Sequence, residues 1–274
     1  MSKGFLIFAT GEEYVRQAYL CALSIRQTKN SYPVSIMTPD YIGDKAQAFD
    51  EVIDVPWTAY DESRYQVLNR WKTYHASPYT ETIVLDADTL VLQNIDDWWK
   101  FFSNYDLFFP SKVYTYRDAE IVDNYYRKVF QANKLPNLYS GIHYFKKGDV
   151  SHEFFKLIEL ISNNWEFFYG SFCTEHYPSA PSMDVTIAIA TVILELEQKV
   201  TNKNTRFLNF VHMKPHLQDW REVRSSWLKH VGVYLTANLD LIIGNHLQHG
   251  IFHYVEDAFV TDKMIAAYEK GVLK

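Results

Sequence analysis

Residues 81 to 99 read ETIVLDADTLVLQNIDDWW, and the two aspartates inside this apolar run constrain the fold more than any other feature. Ile83, Val84 and Leu85 form a continuous apolar stretch, the pattern of a strand buried on both faces. Asp86 and Asp88 follow at once, one residue apart. Carboxylates at the end of such a strand are expensive to desolvate unless something positive meets them. In extended backbone, residues i and i+2 point the same way, so both carboxylates could face one ligand. They would repel each other unless a cation neutralised them. All-oxygen ligation suits magnesium, manganese or calcium, and an imidazole in the shell tilts the choice towards manganese. The plain alternative is a pair of solvated loop aspartates capping the next helix, which the preceding apolar strand makes less natural.

Strand and helix signals alternate along the rest of the chain. GFLIFAT reads as a first strand. A helix follows, with Val15, Ala18, Ala22 and Ile25 on one face; Thr10 and Glu13 have capping-box spacing, which predicts a start at Thr10. PVSIMTP and EVIDVP predict two more strands, and residues 64–76 a helix that Pro78 ends. DLFFPSK, LYSGIHYFK and TRFLNFVHM read as later strands, and residues 118–133, 151–168 and 183–198 as helices. The alternation predicts an α/β fold with a mostly parallel central sheet, in which ligands bind beyond the carboxyl ends of the strands. With no repeat, low-complexity segment or linker, residues 1–274 are read as one Rossmann-like domain. Residues 215–274 form its C-terminal extension, expected to be a helical tail.

Charge and cysteine content exclude several classes. The formal net charge of −6 argues against a nucleic-acid partner. Cys21 and Cys173 are too few and too far apart for a disulfide framework or a zinc site. The apolar run Phe5 to Ala9 is too short for a signal segment, and no stretch reaches transmembrane length. The expected location is therefore cytoplasmic.

Two enzyme classes place D-x-D after an apolar strand. Haloacid dehalogenase-type phosphatases carry D-x-D-x-T/V after the first strand, whereas here Thr89 stands one place early and three strand signals precede the motif. VLDADTLVLQNIDDWW instead resembles the metal-binding segment of the glycogenin-like glycosyltransferases, family 8 in the sequence classification. ATGEEYVRQAYLCALSIRQT, FDEVIDV, RWKTYHASPYTETIVLDAD, NLYSGIHYF and FVHMKP are similar to that family's further segments, in order, from about residue 4 to 215. The resemblance implies a GT-A fold, a UDP-sugar donor such as UDP-glucose or UDP-galactose, and retention at the anomeric carbon. It also implies manganese, with magnesium as substitute, held by Asp86, Asp88 and His212.

Residue by residue, the resemblance implies donor contacts from Ala9, Thr10, Asp86 and Ala87, with Tyr14 stacking on the uracil. Each has a bland reading beside it, Tyr14 as a core tyrosine among twenty and His212 as a hydrogen-bonded histidine at a strand end. Lys72 resembles a lysine that contacts donor phosphate or sugar, against the reading of a solvated helix lysine. Ser140 and Gly141 resemble a substrate segment, although Tyr139 stands where the family has Asn. Lys214 matches a phosphate-binding lysine, but HMKPH brings it closer to His212 than the family's H-x-x-G-x-x-K-P does. Asp184 resembles an acidic residue near the anomeric carbon, either as covalent nucleophile or beside a same-face attack. Its bland reading is a helix N-cap, and Val185 replaces a usual Gln.

His246, His249 and His253 are read as structural or acceptor-side residues, because Gly250 interrupts their spacing and no carboxylate lies within the stretch NHLQHGIFHY. Leu196 to Phe210, where glycogenin carries its self-glucosylated tyrosine, contains none. The expected acceptor is therefore another glycan, a protein or a small molecule. A homodimer is left open, and the rival class to an enzyme is a non-catalytic nucleotide-sugar-binding module.

Overall fold

A computed structural model of the chain describes residues 2–57, 65–122, 127–202, 208–214 and 225–273. Four strands open the architecture: β1 (Lys3–Phe8), β2 (Val34–Met37), β3 (Glu51–Ile53) and β4 (Glu81–Asp86), all parallel. Between them come α1 (Glu12–Gln27) and the short α2 (Lys72–Ala76). After β4 follow β5 (Thr89–Val91), α3 (Trp98–Phe102), β6 (Leu107–Phe108), α4 (Lys128–Ala132) and β7 (Ile142–Lys146). The six-stranded central sheet has the order β3-β2-β1-β4-β7-β6, and only β7 runs against its neighbours. Mostly parallel, it matches the α/β expectation.

Strand β4 is buried on both faces. Ile83 and Leu85 join the cluster containing Ala18, Ala22 and Ile25 of α1, while Val84 between them joins the cluster of the opposite face. That second face is covered by α5 (Asp149–Asn163), α6 (Trp165–Phe172) and α7 (Met183–Ile193), with Phe154, Ile158, Ile187 and Ile189 fully buried. Alternate side chains of one strand therefore hold two helical layers. No helix of the described residues is long and apolar enough to cross a membrane.

Several boundaries differ from expectation. α1 starts at Glu12, because Gly11 takes φ +89°, a conformation that breaks the helix before Thr10 could cap it. Gly11 N–H donates instead to Asp40 Oδ2 at 2.6 Å. Of the helix expected over 118–133 only Lys128–Ala132 is described as helical, and residues 123–126 lie outside the described set. The C-terminal segment is corrected more substantially. After β8 (Phe210–His212) come β9 (Val233–Leu235), β10 (Leu241–Ile243), β11 (His246–Leu247) and β12 (Ile251–His253), and only then α8 (Asp262–Val272). Short apolar runs separated by the positive-φ positions Leu239, Gly244, Asn245 and Gly250 make strands and turns there, not a helical tail. α8 lies on α1, with Tyr19 OH donating to Glu269 at 2.8 Å and Arg16 bridging to Asp262 at 2.8 Å.

Candidate active site

The D-x-D turn joins two sheets. Asp86 ends β4 in the central sheet, and one turn later β5 enters a second sheet of order β5-β12-β8. Thr89 Oγ1 closes the turn by donating to Asp86 O at 2.6 Å, and Asp86 N–H donates to Gly141 O at 2.9 Å. In the second sheet His253 of β12 lies opposite Thr89, and His212 of β8 lies opposite His253. Pairing register therefore decides which histidine meets the aspartates.

His253 Nε2 stands 2.9 Å from Asp88 Oδ2 and 3.9 Å from Asp86 Oδ2. Ligand atoms of Asp86, Asp88 and His253 all lie within 4.8 Å of one another, the group among the described residues able to hold a metal ion. His212, expected as the third ligand, sits one strand further out, its ring 4.5 Å from that of His253. Burial first, then the nearby His253, Lys214 and Arg127, push its pKa well below the usual histidine value, which keeps the ring neutral. Gly141 leaves room for this arrangement, since a Cβ there would come within 3.1 Å of His253 Nδ1 and 3.0 Å of the Phe210 ring. The sequence did hold a signal for His253. IFH and FVH are matching triplets, two apolar residues and a histidine, and they pair in parallel register.

A cleft of about 440 Å³ opens at the carboxyl ends of β1 and β4, walled by Phe8, Ala9, Thr10, Tyr14, Arg70 and the D-x-D residues. Tyr14 is 52% exposed there. Partial burial, followed by the charges of Asp257 and Asp88, raises its phenol pKa. Burial alone would raise the pKa of Asp88, but His253 and Arg70 overcome it and hold the carboxyl below its usual value. Arg70 ion-pairs with Asp86 and lies 3.5 Å from Ser140 Oγ.

The cation of the cleft is thus Arg70, not Lys72. Tyr65, Gln66, Val67 and Arg70 face the cleft, whereas Leu68, Asn69, Trp71 and Lys72 face a separate cavity of about 750 Å³. Residues 66–69 form a 3-10 turn leading into α2, and two residues of helical rotation carry Lys72 to the far side. Lys214 follows β8, its backbone N–H 3.4 Å from His212 Nδ1, and residues 215–224 beyond it lie outside the described set.

Asp184 sits in the first turn of α7, with Ser182 as N-cap. Its Oδ1 accepts from Ser140 N–H at 2.8 Å and its Oδ2 is paired with the buried Arg127. Burial would raise its pKa, but Arg127 and the Ser140 N–H hold the carboxyl below the usual range. Arg127 also donates to Asn137 Oδ1 at 2.7 Å and to Leu138 O, between the rings of Phe130 and Tyr139. Asp184 therefore reaches the cleft through Ser140 and Arg70. No local pattern around Arg127 announces this pairing, which spans 57 residues.

The sequence profile of a family described as "Mannosyltransferase putative" matches residues 2–214. The chain belongs to this family. Over 110 residues it is 26% identical to glycogenin-1 of Oryctolagus cuniculus, a match spanning 35% of this chain and 33% of that protein. Among solved structures it is similar to the galactosyltransferase LgtC in complex with donor and acceptor sugar analogs, at 14% identity and TM-score 0.53, covering 97% of this chain and 93% of that one. Mouse xyloside xylosyltransferase 1 gives 11% identity and TM-score 0.52 over 92% and 97%. The glycosyltransferase GlyE of Streptococcus pneumoniae TIGR4 gives 10% and 0.50, this chain covering 61% of its length. These likenesses show a GT-A glycosyltransferase fold.

Proposed function

We propose that the chain is a metal-dependent glycosyltransferase that moves a hexose from a UDP-sugar to an acceptor, with retention at the anomeric carbon. The observation that carries this reading is the convergence of Asp86, Asp88 and His253 beside a cleft at the carboxyl ends of β1 and β4. Two carboxylates with an imidazole fit a divalent ion, and the nitrogen favours manganese over calcium. Asp86, Asp88 and His253 would hold it, with the neutral His212 one strand behind. When bound, such an ion neutralises charge growing on a departing diphosphate.

The chain's own residues supply the remaining parts. Tyr14 offers an exposed ring for the base, and Ala9, Thr10 and Ala87 line the wall beside it. Arg70 places a guanidinium where a diphosphate would lie, and its fork suits phosphate oxygens. Both oxygens of Asp184 are engaged, one by Ser140 and one by Arg127. That favours a positioning role for Asp184 in a same-face attack over attack by its own carboxylate.

The deciding measurement is nucleotide release from UDP-glucose, UDP-galactose and UDP-xylose, with GDP-mannose included because of the family's description. Each is run with manganese and with chelator. Manganese-dependent release from a UDP-sugar is the expected result. Nucleotide binding without turnover of any donor would leave a binding module, and release from GDP-mannose alone would overturn the uridine reading.

A further inference from the structure

We propose that the larger cavity, on the other side of residues 65–72 from the D-x-D cleft, is a binding site for an oligosaccharide. Its role as an anchor for a glycan acceptor rests on the glycosyltransferase reading; the binding itself does not. The cavity measures about 750 Å³, within the range of small-molecule sites.

Its walls combine two kinds of surface. Trp57, Trp71 and Trp165 supply indoles. Trp57 is 56% exposed and lies nearly parallel to Trp71, at 5.3 Å and 19°, while His75 meets both rings edge-on. Facing them, α5 presents His152, Lys156, Glu159 and Asn163, which recur on one helical face. Lys72 and His75 of α2 complete the polar set.

A pyranose has the matching chemistry. Its C–H faces are apolar and stack on aromatic rings, and its edge carries hydroxyls that both donate and accept hydrogen bonds. Glu159 accepts, Lys72 and Lys156 donate, and Asn163 does both. An anionic ligand fits less well, because the Glu159 carboxylate faces the same space and because burial, followed by the nearby His152 and Lys147, lowers the His75 pKa and keeps that ring neutral. A purely apolar ligand would leave the polar stripe of α5 unpaired.

Backbone strain points to the same place. Trp57 adopts φ +55°, a conformation that bulky side chains rarely take. Strained positions persist where surrounding structure holds them, and they cluster at binding sites. Here the strain sets an exposed indole on Trp71 at the edge of the cavity. The segment from Tyr65 to Lys72 is a common wall, with Arg70 facing the D-x-D cleft and Trp71 and Lys72 facing this cavity. A glycan chain held here would lie next to the transfer site without occupying it.

The test uses the indole N–H signals of the ¹⁵N-labelled full chain, assigned by Trp→Phe replacement. Mannohexaose, maltohexaose and cellohexaose are titrated, with inorganic phosphate as the anionic control. A hexasaccharide is expected to shift Trp57, Trp71 and Trp165 and leave the distant, buried Trp98, Trp99 and Trp227 in place. Trp57→Ala should weaken its binding by about tenfold, the loss of one aromatic face. Lys156→Ala, a surface change on α5, should weaken it as well, and neither variant should alter UDP affinity. No shift with any hexasaccharide up to tens of millimolar, shifts with phosphate only, or unchanged affinity in Trp57→Ala would each overturn the proposal. Shifts without sugar transfer from any donor would keep this site and remove the transferase reading. Transfer without shifts would do the reverse.

Discussion

Replacing Arg127 with methionine should cost the fold about 3 to 5 kcal/mol, the penalty for leaving a buried charge without its partner. The guanidinium pairs with Asp184, donates to Asn137 and Leu138 O, and lies 4.0 Å from the centres of the Phe130 and Tyr139 rings. Methionine retains the stem and its ring contacts. It leaves Asp184 with Ser140, whose N–H donates at 2.8 Å. Asp184→Asn should cost less, about 1 to 3 kcal/mol, because the amide oxygen still accepts from Ser140 and Arg127 keeps its other acceptors. If the pair is the cause, the double variant should cost clearly less than the sum.

The pH dependence carries the sign. In the native protein the Asp184 pKa lies below its ordinary 3.8, so its contribution is present above that value and lost as pH falls through the folded pKa. In Arg127→Met the carboxyl, buried without its partner, shifts upward. The deficit of the variant should therefore be largest at neutral pH and shrink as pH falls towards about 4. Urea unfolding at a series of pH values measures it. A cost below about 1 kcal/mol at neutral pH, or a deficit that does not change with pH, would show that the Arg127–Asp184 pair is not what stabilises this region.

Four further outcomes are expected. Asp88→Asn should abolish manganese-dependent UDP binding in calorimetry while leaving the thermal transition in place; equal UDP affinity with manganese and with chelator in the parent protein would end the metal reading. His253→Ala should raise the manganese concentration required more than His212→Ala does, since His253 is the ring beside both carboxylates; the reverse order would return His212 to the first position. Arg70→Ala should weaken UDP binding by about 1.5 to 3 kcal/mol, the range for hydrogen bonds to charged groups. It should leave uridine binding unchanged, and Lys72→Ala should affect neither. Burial, followed by the charge of Arg70, lowers the His143 pKa to about 4 against the pull of the Ser140 carbonyl, so only the unfolded chain takes up a proton between about 6.5 and 4. Stability should fall by about 3 kcal/mol as pH drops through that window. His143→Gln should flatten the slope, which unfolding free energies across the window would show.

Residue pattern was enough to place the strand ending in Asp86, the alternation that makes a mostly parallel sheet, and Asp86 and Asp88 at its carboxyl edge. These follow from local periodicity, because Ile83 to Leu85 must be buried on both faces wherever the strand lies. The fold family, and with it Ala9, Thr10, Tyr14 and Ala87, came from the resemblance of the D-x-D block and its neighbouring segments to a known family, and the structure lines the cleft with these four residues. Which charged and imidazole groups join them depends on packing: the matching triplets IFH and FVH mark two histidine-ended strands but not which of them meets the aspartates. His253 reaches Asp88 across 165 residues because β12 pairs with β5 in one register, and His212 stands behind it because β8 pairs with β12. Arg70 enters the cleft and Lys72 leaves it because a 3-10 turn and the start of α2 set their rotation. Arg127 finds Asp184 across 57 residues of chain. Pairing register and helix rotation are global properties of the packed sheet and its layers, and no local stretch of residues encodes them.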